Sequence, residues 1–420
     1  MLAELEWRGI LHGSTPGLAD RLASGRPIAG YNGFDPSADS LHIGHLVPIF
    51  GLLRFQRHGG RPVALVGGGT GMIGDPSGRS AERNLLDRET LEANVIGIRA
   101  QLERFLDFAP GSRAAVLVNN LDWLAKLSLV DFLRDTGKQF TIPYMLAKDS
   151  VQVRLDRGLS FTEFSYMLLQ AYDFEHLYRT MGVELQMGGA DQWGNITAGL
   201  ELIRRVGGEG KGSEPAHGLA YRLLLSPSGA KFGKSETHHT IWLDPHRTSS
   251  YAFYQYWVTT DDRDVGTYLR WFTELDEPTI VAIEADHARR PDARAAQGLL
   301  ARDITARVHG AEEADRVAAR SEAVFGHGLL DLPGDEFEAA VGELPVTVVS
   351  AEESSSLLAL ALATGAYPSR GEARRGMAQG GFYVNDERLT DPAAAPPEPV
   401  HGRYWIVRTG RKHIRVARRA

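Results

Sequence analysis

The stretch Asp35-Pro36-Ser37-Ala38-Asp39-Ser40-Leu41-His42-Ile43-Gly44-His45 follows the apolar run Pro27-Ile28-Ala29-Gly30-Tyr31 and leads into a helical pattern from about His45 to Arg57. A strand, a turn-rich connection and a helix, in that order, open a parallel α/β unit. Two imidazoles flank Gly44, whose missing side chain leaves room for a flat base against the backbone. Pro48 has no N–H and is tolerated only in a helix's first turn, so the helix starts no earlier than His45. His45 then sits at the positive end of that helix, where phosphate is favoured and His42 and His45 can donate hydrogen bonds to it.

Working outward, Pro62–Val66 is a second apolar run, ended by Gly67-Gly68-Gly69, and Ala114–Val118 is a third. Helical spacing fills Ala81–Phe105 and Leu129–Asp135, and buried strands separated by helices predict a parallel sheet with crossover helices. Further helices are expected near Phe161–Thr180 and Asn195–Val206, followed by a Gly/Lys-rich stretch over 207–212. From Ser249 to about Phe325 the pattern is helical and charged, without a strand-like run. The Gly- and Pro-containing stretch Leu329–Leu344 reads as a linker. The expected fold is α/β: a Rossmann-like parallel-sheet domain over 1–220 with an insertion at about 80–185, an all-helical domain over 221–325, a linker over 326–350, and a small α+β module over 351–420.

The 420 residues include no cysteine, which excludes a disulfide scaffold, a thiol nucleophile and any Cys-ligated metal. The opening Met1-Leu2-Ala3-Glu4-Leu5-Glu6 is acidic, with no apolar core before a cleavage site. The run Leu357–Ala363 falls far short of the ~18–20 residues of a membrane span. A cytosolic protein is expected. The net charge of −7 hides an asymmetry: residues 366–420 carry eleven Lys/Arg against five Asp/Glu. A basic module on an acidic body suggests a polyanionic partner at one end.

Tyr166, Gln170 and Asp173 stand at i, i+4 and i+7 inside the otherwise apolar run Phe164–Phe174, which puts all three on one helical face. Because Met167, Leu168, Leu169, Ala171 and Tyr172 make the other faces apolar too, the helix is buried and its polar stripe lines an internal pocket. Asp191, after Gly188-Gly189, fits a ribose clamp, since glycines allow close approach and a carboxylate accepts from hydroxyls. Lys231 and Lys234, between Gly229 and Ser235, are two ammonium groups able to close over a pyrophosphate. Arg79 and Arg83 are weaker candidates for the same pyrophosphate or for an RNA end. In the basic module Arg370, Arg374 and Arg375 lie close to one helical face, and Gly380-Gly381 turns the chain into a strand. Lys412, Arg415, Arg418 and Arg419 add positive charge.

His42-Ile43-Gly44-His45 and Lys231-Phe232-Gly233-Lys234-Ser235 resemble the two signatures of class I aminoacyl-tRNA synthetases. Tyr31-Asn32-Gly33-Phe34-Asp35-Pro36, Gly74-Asp75-Pro76-Ser77-Gly78 and Gly188-Gly189-Ala190-Asp191-Gln192-Trp193-Gly194-Asn195 are similar to bacterial tyrosyl-tRNA synthetases. The resemblance runs from about residue 5 to the C-terminus. Asn32 departs from it where some relatives have cysteine or threonine, and Pro48 where a hydroxyl residue can contact the ribose.

The resemblance implies ATP-dependent activation of tyrosine, with Mg²⁺ screening the leaving group and no protein-bound metal, followed by transfer to tRNA. It implies His42, His45, Lys231 and Lys234 as catalytic groups. The tyrosine contacts would be Tyr31, Asp75, Tyr166, Gln170, Asp173 and Gln192, with Thr70 facing the same substrate. Gly33, Asp35, His42, His45, Gly189, Asp191, Lys231 and Lys234 would bind ATP. The C-terminal module resembles an S4-type RNA-binding domain, with Arg370, Arg374, Arg375 and Lys412 as RNA contacts. The helical domain would bind the anticodon, and the insertion would carry a homodimer interface near Phe161. A tryptophan-specific relative of the same architecture is the rival reading. Tyr31 with Asp173 as a phenol-reading pair favours tyrosine.

Overall fold

The computed structural model describes residues 1–74, 87–148, 151–152, 158–207, 215–224, 240–325, 328–410 and 413–420. The chain divides into two compact units, Met1–Ser249 with Tyr256–His309, and Ser250–Gln255 with Gly310–Ala420.

The first unit is built on a six-stranded sheet of β1 (Leu11–Ser14), β2 (Ala29–Phe34), β3 (Arg61–Val66), β4 (Val116–Asn119), β5 (Val183–Gly189) and β6 (His217–Tyr221), in the order β1-β6-β5-β2-β3-β4. Five strands are parallel, and β1 pairs antiparallel with β6 at one edge. The chain leaves β2 towards β3 and β4 on one side and returns to β5 and β6 on the other. The strand order therefore reverses between β2 and β5, and a crevice opens there beyond the carboxyl ends of the strands. β2 and β3 are almost continuously apolar, as strands covered on both faces must be.

β5 and β6 escape a hydropathy reading because Glu184, Gln186, His217 and three glycines interrupt them. Their neighbours supply the missing logic. Gly218 leaves the space that Ile196 fills, an added Cβ lying 2.6 Å from its side chain, and Gln186 is 2% exposed at the base of the crevice.

Helix Leu46–Arg57 starts after the short 3₁₀ turn Ile43–His45, with Pro48 as its third residue, so the missing N–H falls inside the first turn. Arg54, at 1% exposure, donates from this helix to the carbonyls of Trp271 (2.9 Å) and Thr273 (3.0 Å) and pairs with Glu274 at 3.2 Å. Arg8 caps the same terminus through Arg270 O (2.8 Å) and Leu275 O (2.8 Å). Two buried guanidinium groups thus satisfy the last carbonyls of helix Val265–Phe272. Between Ser249 and Phe325 the described chain is helical throughout, in the helices Ser250–Val258, Val265–Phe272, Glu277–Arg289, Ala295–His309 and Ala311–Phe325.

The second unit carries a sheet of β7 (Val346–Val349), β8 (Phe382–Val384), β9 (Glu387–Arg388), β10 (Tyr404–Thr409) and β11 (His413–Arg419), ordered β7-β11-β10-β8-β9. Part of the stretch read as a linker is ordered structure. Helix Gly334–Val341 buries Phe337, Ala340 and Val341, and β7 pairs parallel with β11. Pro333 and Gly334 mark the start of that helix, which is why they read as breakers. Leu357, Leu360, Met377, Phe382, Trp405 and Val407 form a second core under helices Leu357–Ala363 and Arg370–Ala378. Gly380 takes φ +73° to enter β8, and Asn385-Asp386, both at positive φ, turn β8 into β9. Arg370 and Arg374 lie one turn apart on the same face, whereas Arg375 is rotated well away, and all three are exposed.

Candidate active site

A cavity of about 400 Å³ occupies the crevice between β2 and β5. The turn between β2 and helix Leu46–Arg57 forms one wall, and helix Arg88–Leu102 holds that turn from behind. Asn94 donates to Pro36 O at 2.8 Å, and Gln101 bonds Ser40 Oγ (2.9 Å) and the Leu41 N–H (2.8 Å). The two backbones approach so closely that a Cβ on Gly97 would lie 2.0 Å from Asp39 O.

The two histidines cap their own turn reciprocally. His42 Nδ1 accepts from the Gly44 N–H at 3.0 Å, and His45 Nδ1 accepts from the His42 N–H at 3.1 Å. A ring nitrogen that accepts carries no proton, so each neutral imidazole keeps its proton on Nε2 and offers a donor there. The rings lie 4.0 Å apart and both line the cavity. Trp242 pairs with His42 across an isolated bridge, and the Ile43 N–H donates to Ile241 O at 3.0 Å.

Opposite this wall, helix Phe161–Met181 presents Tyr166, Gln170 and Asp173 to the cavity, as the i, i+4, i+7 spacing requires. Asp173 is 2% exposed, and both its oxygens are engaged. Asn120 Nδ2 donates at 2.8 Å and Trp123 Nε1 at 2.7 Å. Burial still pushes its carboxyl up to about 7, against those two bonds. Asn120, fully buried after β4, also donates to Thr70 Oγ1 (2.9 Å) and accepts from the Gly69 N–H (2.7 Å), tying the glycine turn to Asp173. Tyr31 is not hydrogen-bonded to Asp173. Its hydroxyl is buried with no partner among the described residues, and its ionisation is pushed upward by burial and by Asp173. Tyr31 and Asp173, the expected phenol contacts, both line the cavity.

The β5 side contributes Gly188, Gly189, Asp191 and Gln192. A Cβ on Gly189 would stand 2.6 Å from Asp191 Oδ1, so this position suits glycine. Gln192, Gln170 and Asn195 form a carboxamide triangle with sides of 3.0 to 3.3 Å. Gly33, Asp35 and Pro48 line the opposite side.

The structure therefore brings together Tyr31, Gly33, Asp35, His42, His45, Tyr166, Gln170, Asp173, Gly189, Asp191 and Gln192. Asp75, Arg79, Arg83, Lys231, Lys234 and Lys412 lie outside the described residues. Sequence reasoning missed Asn120, Trp123, Gln186 and Asn195. The first two stand alone after a strand, although Asn119-Asn120 between an apolar run and a tryptophan is the kind of polar interruption that marks a strand's functional end. Among the described residues, no three His, Asp or Glu side chains are grouped to hold a metal ion.

A sheet whose order reverses beside a histidine-capped turn is the class I tRNA synthetase arrangement. Residues 23–326 match the family described as tRNA synthetases class I (W and Y), and residues 336–416 match the tyrosine–tRNA ligase SYY-like C-terminal domain. The tyrosine–tRNA ligase of Roseiflexus castenholzii is 48% identical over all of this chain and 99% of its own length. That of Geobacillus stearothermophilus is 48% identical over the whole of both chains. A C-terminally truncated mitochondrial tyrosyl-tRNA synthetase of Coccidioides posadasii superposes with a TM-score of 0.66 at 33% identity, covering 76% of this chain and 90% of that one. A tryptophanyl-tRNA synthetase of Encephalitozoon cuniculi shares the fold at 16% identity, with a TM-score of 0.52 over 80% of this chain and 89% of its own. The chain belongs to the tyrosine–tRNA ligase family, the ATP-dependent enzymes of this class.

Proposed function

We propose that the chain activates L-tyrosine with ATP to tyrosyl-adenylate and pyrophosphate, then passes the tyrosyl group to the terminal adenosine of its tRNA. The observation that carries this reading is the buried Asp173 carboxylate, held by Asn120 and Trp123, beside the unpartnered Tyr31 hydroxyl. A phenol entering the cavity donates to Asp173 and accepts from Tyr31, whereas phenylalanine leaves the Tyr31 hydroxyl without a partner and brings Asp173 no further donor.

Tyr166 and Gln170, with Asp75, hold the substrate ammonium, and Gln192 meets its carboxylate. That carboxylate is the nucleophile. One of its oxygens bonds to the α-phosphorus of ATP as the bond from phosphorus to the bridging oxygen breaks, and pyrophosphate leaves with that electron pair. The Nε2 donors of His42 and His45 face the phosphate oxygens as charge builds on them, and Lys231 and Lys234 take the leaving group, whose charge Mg²⁺ arriving with ATP screens. Gly33, Asp35, Gly189 and Asp191 seat the nucleotide. Arg370, Arg374, Arg375 and Lys412 contact RNA phosphates.

Leu129, Val130, Leu133, Ile142 and Phe161, exposed at 51–78% between β4 and β5, support a homodimer through this insertion. We place the chain in the cytoplasm, and no helix among the described residues is long and apolar enough to cross a membrane. Exchange of labelled pyrophosphate into ATP, run with each amino acid in turn, tests the assignment. Tyrosine alone should support it, and exchange driven by tryptophan would overturn it.

A further inference from the structure

Asn195 lies on helix Trp193–Gly207, is 3% exposed, and is not among the residues that line the cavity. Its Nδ2 donates to Gln170 Oε1 at 3.0 Å and to Gln192 Oε1 at 3.1 Å. Gln170 Nε2 adds a third bond to Gln192 Oε1 at 3.3 Å. A carboxamide presents an acceptor on one side and a donor on the other, and nothing in its shape decides which way it faces. With two donors on it, the Gln192 oxygen has filled both its lone pairs inside the triangle. Its Nε2 edge stays outside the triangle, and Gln192 itself lines the cavity.

We infer that Asn195 is a positioning residue that fixes the polarity of the Gln192 carboxamide, so that an N–H and not a carbonyl oxygen meets the carboxylate of the amino-acid substrate. This rests on the reading of Gln192 as the carboxylate contact. The polarity matters because the opposite orientation sets a carbonyl dipole against an anion, repulsion in place of a charge-assisted hydrogen bond. The bonds link helix Phe161–Met181, the turn Ala190–Gln192 and helix Trp193–Gly207, so one side chain sets two groups lying 22 residues apart in the sequence.

Asn195→Asp tests the idea, because it keeps size and shape but replaces the donor with an acceptor. The aspartate draws the N–H edges of Gln192 and Gln170 towards itself and turns the Gln192 oxygen outward. Asn195→Ala removes more atoms yet imposes no orientation. The probes are L-tyrosine and tyramine, which is tyrosine without its carboxylate, titrated into the full-length enzyme by intrinsic fluorescence.

Asn195→Asp should weaken tyrosine by about tenfold or more, as expected for loss of a hydrogen bond to a charged group. Asn195→Ala should weaken it less, about threefold, and tyramine, which keeps the ammonium that Gln170 meets, should lose clearly less than tyrosine in both variants. Equal losses for the two ligands, or a larger loss for Ala than for Asp, would show a packing role and overturn the inference. So would unchanged tyrosine binding in Asn195→Asp. Gln192→Ala separates the two layers. If it too weakens tyrosine and tyramine alike, the carboxylate reading of Gln192 fails and takes the inference with it. If it is selective for tyrosine while Asn195→Asp is not, only the inference fails.

Discussion

Asp173 is a carboxylate in a place that resists charge. Its ordinary value of 3.8 is pushed up to about 7 by burial, so between those limits the folded chain holds a proton that the unfolded chain has released. Its contribution to stability therefore falls as pH rises from about 4 to 7. Tyrosine affinity runs the other way. A bound phenol favours the ionised carboxylate and lowers its pKa, so binding releases a proton and tightens as pH climbs towards 7. Tyrosine titrations from pH 6 to 8 should show this rise, and Asp173→Asn should flatten it. Tyr31 offers a second contrast of sign. Tyr31→Phe deletes a buried hydroxyl without a partner, so the melting temperature should hold or rise, by up to about 1 kcal/mol of stability. Tyrosine binding should weaken meanwhile. Calorimetric melting beside a tyrosine titration reads both, and a joint fall would mean that the hydroxyl serves the fold.

At the scale of elements, helix Leu46–Arg57 does two jobs from its two ends. Its N-terminus carries His45, and its last turns carry Arg54, whose burial draws its pKa down to about 10 while it holds the end of helix Val265–Phe272. Arg54→Ala takes the donor from Trp271 O and one of two cations from Glu274, which keeps Arg57, and urea denaturation should show a loss of about 1–3 kcal/mol. A loss below 1 kcal/mol would mean that Arg8 caps the helix alone.

The elements that were readable in sequence are those whose burial is uniform. β2 and β3 are apolar on both faces, helix Phe161–Met181 is apolar nearly all round, and Pro48 pins a start. β5 and β6 were not, because Gln186, Gly188, Gly189 and Gly218 answer to the cavity and to neighbouring side chains more than to strand propensity. The site divides in the same way. Histidines around a glycine and a polar stripe on a helix are local patterns, whereas Asn120 and Trp123 reach Asp173 across 53 and 50 positions and leave no periodic trace.

For the molecule as a whole, charge and apolar surface separate two partners. The exposed apolar residues between β4 and β5 predict self-association, so Val130→Asp with Phe161→Asp should convert a dimer into a monomer in sedimentation velocity. A monomeric parent at micromolar concentration would remove the premise. The basic stretch 366–420 predicts salt-sensitive RNA binding. Arg370→Glu with Arg374→Glu should weaken tRNA and flatten the dependence of its affinity on salt by roughly two phosphate contacts. Pyrophosphate exchange without tRNA is the reference reaction, and an unchanged salt slope would place the RNA elsewhere.

Residues 225–239, which carry Lys231 and Lys234, leave the sheet at a point that lines the cavity and rejoin the chain where Ile43 N–H bonds Ile241 O and Leu243 N–H bonds Leu41 O. The described residues on either side of that segment are thus held at the rim, one side at β6 and the other on the histidine turn. The histidine turn therefore shares its backbone support with the chain around Ile241 and Leu243, and a change at either of those two residues is passed directly to His42 and His45.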